Sequence, residues 1–180
     1  MIGLMFYDQS PRRITLREAM EISHALPPYV LRVGVFVNAE PELVNRAIGD
    51  CGLSLLQFHG DETSEFCTQF GVMSMKAIRV RDAESLAVLA QYQTDAFLLD
   101  AHSAHGLGGT GEQFNWDLAV EAQTFGKPIF LAGGLTPDNV TAAVRKVKPF
   151  AVDVSSGVES QPGKKDADKM QAFIAAVKAA

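Results

Sequence analysis

The sequence predicts an α/β fold built on a parallel sheet. Short apolar runs alternate with amphipathic stretches along the 180 residues, as expected for strands alternating with helices. The runs are continuous, as buried parallel strands are, and occupy residues 2–7, 30–37, 53–58, 75–80, 96–99, 129–132 and 150–154. This pattern leaves two architectures open, an open doubly wound sheet and a closed (β/α)8 barrel.

Three of the intervening stretches carry an apolar stripe at helical spacing. The stripes consist of Leu43, Val44, Ala47 and Ile48, of Val140, Ala143, Val144 and Val147, and of Met170, Phe173, Ile174 and Val177. We expect Pro41 in the first turn of the first helix. Thr136 is the expected N-cap of the second helix, with Pro137 as its first residue, and Asp166 is the expected N-cap of the third.

The composition fits a globular protein of the reducing cytoplasm. Hydrophobic residues make up 47% of the chain and charged residues 21%, and the formal net charge of -5 argues against a nucleic-acid-binding surface. The two cysteines form no disulfide framework and no metal-ligand spacing. No apolar run approaches the roughly 18 residues of a membrane helix. We interpret residues 2–7 as a strand and not as a signal peptide.

Three polar side chains follow predicted strands, where both candidate architectures collect their functional residues. Asp100 ends an apolar run and is a candidate general acid, although, taken alone, a loop acceptor or N-cap explains it better. His59 either polarises a substrate or bonds the backbone. Arg12 either binds a substrate carboxylate or is a solvated loop residue.

Two turns at the ends of the last two predicted strands indicate phosphate binding. Gly133 and Gly134 allow backbone N–H groups to approach an anion in front of a helix N-terminus. Ser155, Ser156 and Gly157 add hydroxyl groups and a second close backbone approach. Each is explained singly as an ordinary turn, but (β/α)8 barrels bind phosphate at the ends of their last strands, so the pair favours a phosphate site.

The segment from Gly106 to Gly111 matches the G-x-G-x-x-G dinucleotide motif, but we reject that interpretation. The motif should follow its strand directly and have an acidic residue about 20 positions later, and here it has neither. We expect a mobile loop above the strand ends instead.

Motifs along almost the whole chain resemble those of the phosphoribosylanthranilate isomerase family of tryptophan biosynthesis. The motifs are GLMFY with SPR (Gly3–Arg12), VGVFVN (Val33–Asn38), QFHGD (Gln57–Asp61), LLD (Leu98–Asp100), GGTG with FNW (Gly108–Trp116), AGGLTPDNV (Ala132–Val140), VDVSSGVE (Val152–Glu159) and PGKKD (Pro162–Asp166). The resemblance implies a (β/α)8 TIM barrel and an Amadori rearrangement of N-(5-phosphoribosyl)anthranilate, without a cofactor or metal.

The resemblance also implies roles for the strand-end residues. Asp100 matches the general acid, and Arg12 matches the residue that engages the anthranilate carboxylate. We expect His59 to bind substrate as well. The phosphate site matches Gly133, Gly134, Ser155, Ser156 and Gly157.

The sequence departs from the family at its amino-terminal end. The family's base is a cysteine in a Lys-Ile-Cys-Gly motif that ends the first strand, whereas this chain starts at what resembles the second strand. We therefore expect one barrel domain over residues 1–180 with seven of the eight strands, and no activity unless the first unit is supplied. Cys51 lies before its strand and Cys67 within a helical stretch, so neither replaces the base. Unpaired barrel edges predict self-association.

Three alternatives remain at this stage. The first is a non-catalytic fragment that keeps phosphate binding. The second is another phosphate-handling barrel: an epimerase needs a His/Asp metal set at strand ends, and an indole-glycerol-phosphate synthase needs a strand-end lysine, whereas Lys76 lies near the start of its run. The third is a pure interaction module, which does not need this set of strand-end residues.

Overall fold

The computed structural model describes residues 1–101 and 115–180. The Gly106–Gly111 motif, with the loop expected there, lies outside these residues. The chain divides into two compact units. Unit 1 contains Met1–Ala77 and Gln91–Asp95, and unit 2 contains Ile78–Ala90 and Ala96–Ala180.

The parallel sheet predicted from the apolar runs is confirmed. In the described part of the chain, seven strands follow one another in sequence order. They are β1 (Ile2–Met5), β2 (Arg32–Phe36), β3 (Leu55–Phe58), β4 (Met73–Val80), β5 (Ala96–Ala101), β6 (Ile129–Leu131) and β7 (Ala151–Val152). Each overlaps one predicted run. Pairing is parallel between β1 and β2, β2 and β3, β3 and β4, β5 and β6, and β6 and β7.

Unit 1 packs its helices onto β1–β3. They are α1 (Leu16–Ala25), α2 (Pro41–Cys51) and α3 (Ser64–Thr68). Thr15 is the N-cap of α1 and forms a reciprocal capping box with Glu18. Helix α2 has Pro41 in its first turn, as predicted, and is followed by the C-cap Gly52 in the left-handed conformation. The rings of Phe6, Phe36 and Phe58 follow one another through the core: Phe6 stacks on Phe36, and Phe58 is tilted by 30° against Phe36.

Unit 2 carries α4 (Ala83–Leu86), α5 (Trp116–Ala122), α6 (Val140–Val147) and α7 (Ala167–Lys178). An antiparallel pair, β8 (Glu159–Gln161) and β9 (Lys164–Lys165), precedes α7. Short 3-10 segments occupy Ala87–Gln91, Gln123–Phe125 and Ser156–Val158. The predicted cap of α7 is confirmed, since the Asp166 side chain accepts from the Lys169 N–H.

Two details of the predicted helices are wrong. Helix α6 begins at Val140, with Asn139 as its N-cap, and not at Pro137. The reason is local: the Asn139 side chain accepts the Thr136 N–H, which makes residues 136–139 a separate turn. In α7 only Phe173 of the predicted stripe is buried, whereas Met170 and Ile174 are 37% and 52% exposed.

Among the described residues, no helix has the length and apolar character to cross a bilayer.

Candidate active site

In unit 1 the predicted residues follow β1 and β3, two parallel strands on either side of β2, at one edge of the sheet. Arg12 lies in the turn after β1, half-buried, and its N–H donates to Ser10 Oγ over 3.1 Å. His59 follows β3 directly, and its N–H extends the ladder to the Phe36 carbonyl over 2.9 Å. Because parallel strands present their carboxyl ends at the same edge, Arg12 and His59 share this edge within unit 1.

The turn that carries His59 (residues 59–63, the His59 turn) is tied to the turn after β2 by side-chain hydrogen bonds. Glu62 accepts the Asn38 N–H at 2.7 Å and the Gly60 N–H at 2.9 Å. Asn38 Oδ1 in turn accepts the Asp61 N–H at 2.7 Å. His59 Nδ1 lies 3.4 Å from the amide nitrogen of Gln57, which is inside β3.

A buried lysine completes this arrangement. Lys76 Nζ lies 2.9 Å from Glu62 Oε2 and donates to the Gly60 carbonyl over 2.5 Å. The ammonium also lies 5.4 Å from the ring centroid of Tyr92, whose hydroxyl donates to the Glu62 carbonyl. Lys76 is inside β4, which begins at Met73, and is therefore not a strand-end lysine.

In unit 2 the other predicted residues also share one edge. Asp100 is half-buried near the end of β5. The Ala132 N–H donates to the Leu99 carbonyl and the Asp153 N–H to the Leu131 carbonyl, each over 2.8 Å. The ladder therefore continues to the residues that open both predicted phosphate turns, and Asp100 lies at the same edge as these turns.

The turn after β6 depends on glycine. Gly133 and Gly134 have φ angles of 80° and 67°, a region that residues with a Cβ rarely adopt. Asn139 closes the turn from the far side, because its amide donates to the Gly134 carbonyl at 2.9 Å while its oxygen accepts the Thr136 N–H. The backbone of residues 133–136 is thus fixed in front of α6.

The turn after β7 packs directly against this first turn. A Cβ placed on Gly157 would overlap the Leu135 carbonyl oxygen and lie 3.3 Å from Thr136 Cα. Lys165 of β9 donates to the Ser155 carbonyl and pairs with Glu159, both at 2.9 Å. We call residues 133–136 and 155–157 the glycine turns.

Neither cysteine is suited to act as a base. Cys51 ends α2 before β3, away from the strand ends, and burial raises the pKa of its thiol. Cys67 lies in α3 with no exposed surface, and burial raises its pKa to about 12. Deprotonation, which catalysis by a thiol requires, is disfavoured at both positions.

The structure gathers the predicted residues in two sets. Arg12 and His59 share the edge of unit 1, and Asp100 shares the edge of unit 2 with the glycine turns. The sequence-based prediction missed Asn38, Glu62 and Lys76, although a lysine inside an apolar run signals a buried charge that needs a partner.

The fold defines the class of protein. A solved structure of a phosphoribosylanthranilate isomerase from Thermotoga maritima matches 99% of this chain and 87% of its own, at a TM-score of 0.93 and 40% sequence identity. The fold is therefore α/β of the TIM-barrel type. A second solved isomerase, with a TM-score of 0.88 and 38% identity, covers the same shares of the two chains. That structure is a complex with reduced 1-(o-carboxyphenylamino)-1-deoxyribulose 5-phosphate.

The sequence defines the family. The profile described as N-(5'phosphoribosyl)anthranilate (PRA) isomerase matches residues 1–176. The N-(5'-phosphoribosyl)anthranilate isomerase of Trichlorobacter lovleyi is 54% identical over 173 residues, which are 96% of this chain and 84% of that protein. This chain belongs to the N-(5'-phosphoribosyl)anthranilate isomerase family. The membership leaves no support for the epimerase, the synthase or a pure interaction module.

Proposed function

We propose that this protein converts N-(5'-phosphoribosyl)anthranilate to 1-(2-carboxyphenylamino)-1-deoxyribulose 5-phosphate, a step of tryptophan biosynthesis, in the cytoplasm. The reaction is an Amadori rearrangement of an aminoaldose to an aminoketose. An acid protonates the ribose ring oxygen and opens the ring, and a base then removes the proton from C2. We assign this base to neither Cys51 nor Cys67, since burial raises the pKa of both thiols, and propose that turnover requires the cysteine-bearing β/α unit that the resemblance implies. Family membership at 54% identity and the predicted residues at the strand ends support this assignment.

Asp100 is the proposed general acid. Asp100 is half-buried near the end of β5, at the same edge of unit 2 as the glycine turns, where a carboxyl group can reach a bound substrate. Arg12 and His59 are the proposed substrate-binding residues of unit 1. The guanidinium of Arg12 offers paired N–H donors to the anthranilate carboxylate.

The observation that carries the proposal is the packing of the glycine turns. Gly157 leaves no space for a side chain against Leu135, so the backbones after β6 and β7 are in contact. Backbone N–H groups brought together in front of a helix N-terminus bind phosphate without a charged side chain. This arrangement fits the phosphate of a phosphoribosyl substrate, with Gly133, Gly134, Ser155, Ser156 and Gly157 as its proposed ligands.

Turnover tests the role of Asp100. Isomerase activity is measured as the loss of fluorescence of freshly generated phosphoribosylanthranilate, using the protein as the cell produces it. We expect Asp100→Asn to lower kcat about 10²- to 10⁴-fold, the usual contribution of a general acid. Asp50→Asn, the same change at an exposed site in α2, should leave kcat unchanged. Full activity of the Asp100 variant would remove that residue from the mechanism.

Ligand binding tests the remaining roles independently of turnover. Titration calorimetry with reduced 1-(o-carboxyphenylamino)-1-deoxyribulose 5-phosphate should give saturable binding that Asp100→Asn leaves nearly intact. Arg12→Met should weaken binding of this ligand but not of inorganic phosphate, because only the former has the anthranilate carboxylate. A protein that binds neither ligand would contradict the proposed function.

The single barrel domain over residues 1–180 is also a proposal. One unfolding transition, coincident in circular dichroism and tryptophan fluorescence, supports a single cooperative domain. Two separated transitions would instead assign independent stability to units 1 and 2.

A further inference from the structure

The His59 turn is held in place by a buried ion pair that none of the proposed catalytic steps uses. The side chains of Lys76 and Glu62 are only 3% and 2% exposed, and their charged atoms lie 2.9 Å apart. Two opposite charges removed from water require excellent geometry and further hydrogen bonds to offset their desolvation. Such a pair therefore gives little net stability compared with apolar side chains of the same size.

The additional hydrogen bonds of this pair all go to the backbone of two turns. Glu62 accepts N–H groups from both Asn38 and Gly60, and Lys76 donates to the Gly60 carbonyl. Gly60 is thus held at its nitrogen by the carboxylate and at its oxygen by the ammonium. The residue directly before it is His59.

The two turns are closely packed at Asn38 and Gly60. Asn38 has a φ of 49°, in the left-handed region, which asparagine tolerates better than most residues. A Cβ on Gly60 would lie 2.8 Å from the Asn38 nitrogen and 2.7 Å from its Cγ. Because the His59 N–H also donates to Phe36, the position of the imidazole depends on how the two turns pack.

We propose that Glu62 and Lys76 are positioning residues, which lock the His59 turn onto the turn after β2 so that the imidazole is held in place for the substrate. The inference rests on the proposed function, because it assumes that His59 contacts the substrate. We call the Glu62–Lys76 ion pair the side-chain lock. Its carboxylate joins the two turns by accepting the N–H groups of Asn38 and Gly60. The ammonium neutralises this carboxylate and fixes the Gly60 carbonyl.

The test compares Glu62→Gln with Val44→Ala in the otherwise native full-length protein. Glutamine keeps the size of the side chain, but its NH2 group replaces one carboxylate oxygen, so it cannot accept both N–H groups and the contact to Lys76. Val44 is fully buried in α2, so Val44→Ala lowers stability by loss of core packing. Three quantities are measured for each: the dissociation constant of reduced 1-(o-carboxyphenylamino)-1-deoxyribulose 5-phosphate, the urea midpoint, and the NMR signals of the His59 ring and the Gly60 amide.

We expect Glu62→Gln to weaken binding at least tenfold and to shift both NMR signals. Val44→Ala should lower the urea midpoint without changing either the affinity or these signals. Lys76→Arg keeps the positive charge at position 76, whereas Lys76→Met removes it. Lys76→Arg should therefore retain more affinity for the reduced ligand than Lys76→Met.

The outcomes separate the two proposals. Wild-type protein that does not bind the ligand refutes the proposed function, and the positioning role with it. Wild-type protein that binds, with Glu62→Gln binding equally well, refutes the positioning role alone. Equal affinity losses in Glu62→Gln and Val44→Ala also refute it, because the ion pair would then act only through stability. Weaker binding with unmoved His59 signals refutes the path through this residue.

Discussion

The turns at the strand ends of units 1 and 2 are fixed by opposite means. In unit 1 a buried carboxylate and a buried ammonium hold the His59 turn through their side chains. In unit 2 the Asn139 side chain braces the first glycine turn, but the two glycine turns meet through their backbones, with Gly157 packed directly against the Leu135 carbonyl. Buried charged side chains join the two turns in the first case, and backbone contact joins them in the second.

This difference matches the ligands proposed for each edge. A phosphate is recognised well by backbone N–H groups, which glycine leaves accessible. An imidazole must be held in one orientation towards its ligand, and the turn that carries it then needs contacts from outside its own backbone. The side-chain lock also carries a larger risk, because removing one member of a buried ion pair leaves the other charge without compensation.

The largest expected effect comes from breaking the side-chain lock. Lys76→Met leaves the Glu62 carboxylate buried without its counter-charge, and we expect a loss of about 3–5 kcal/mol in the free energy of unfolding. Urea denaturation followed by circular dichroism measures it. The double variant Lys76→Met with Glu62→Leu removes both charges and should recover part of this loss. A loss below about 1 kcal/mol, as for an exposed ion pair, would mean that water reaches the carboxylate.

A smaller effect is expected from the backbone contact in unit 2. Gly157→Ala forces a methyl group against the Leu135 carbonyl, and the strain should cost about 1–3 kcal/mol, as overpacking generally does. Affinity for inorganic phosphate, measured by calorimetry, should fall with it, because the glycine turns must separate. Gly49→Ala is the control: like Gly157, Gly49 has no left-handed φ, but it has open space around it, so the same change should cost no stability there and leave phosphate affinity unchanged. Equal phosphate affinity in wild type and Gly157→Ala would contradict the proposed phosphate site.

The two edges also differ in how far the sequence predicts them. The seven strands and the glycine turns are local signals, because apolar runs and glycine pairs are readable within a few residues. The lock in unit 1 is not local, since Glu62 and Lys76 are separated by α3 and the start of β4. A lysine inside the run 75–80 indicates a partner but cannot identify it.

The wrong details have the same kind of cause. Thr136 and Pro137 fit the statistical pattern of a helix start, but the Asn139 side chain bonds the Thr136 N–H and delays the helix to Val140. The stripe of α7 predicts burial of Met170 and Ile174, which is decided by packing partners and not by periodicity. Whether the strand-end residues act as proposed depends on contacts with a substrate, which neither spacing nor local propensity determines.

The smallest expected effect uses Cys67 of α3 as a probe of the lock. Burial raises the pKa of its thiol from 9.0 to about 12, Glu62 adds to this rise, and Lys76 opposes it. Between these two values the unfolded chain releases the thiol proton and the folded chain keeps it. Unfolding is therefore coupled to proton release, and stability falls as the pH rises through this window. Below pH 9 both states keep the proton and the thiol contributes no pH dependence.

Urea midpoints of wild type and Cys67→Ala, compared from pH 8 to the highest pH at which both fold, isolate this contribution. Other titrating groups are common to both proteins, so the difference between the two curves reports the thiol. We expect the wild type to lose stability more steeply than Cys67→Ala above pH 9. In the Glu62→Gln background this extra slope should shrink, because the carboxylate no longer opposes deprotonation while the Lys76 ammonium still favours it. Parallel curves for wild type and Cys67→Ala would mean that the thiol is hydrated in the folded state. The side-chain lock beside it would then be more accessible to water than its 2–3% exposure indicates.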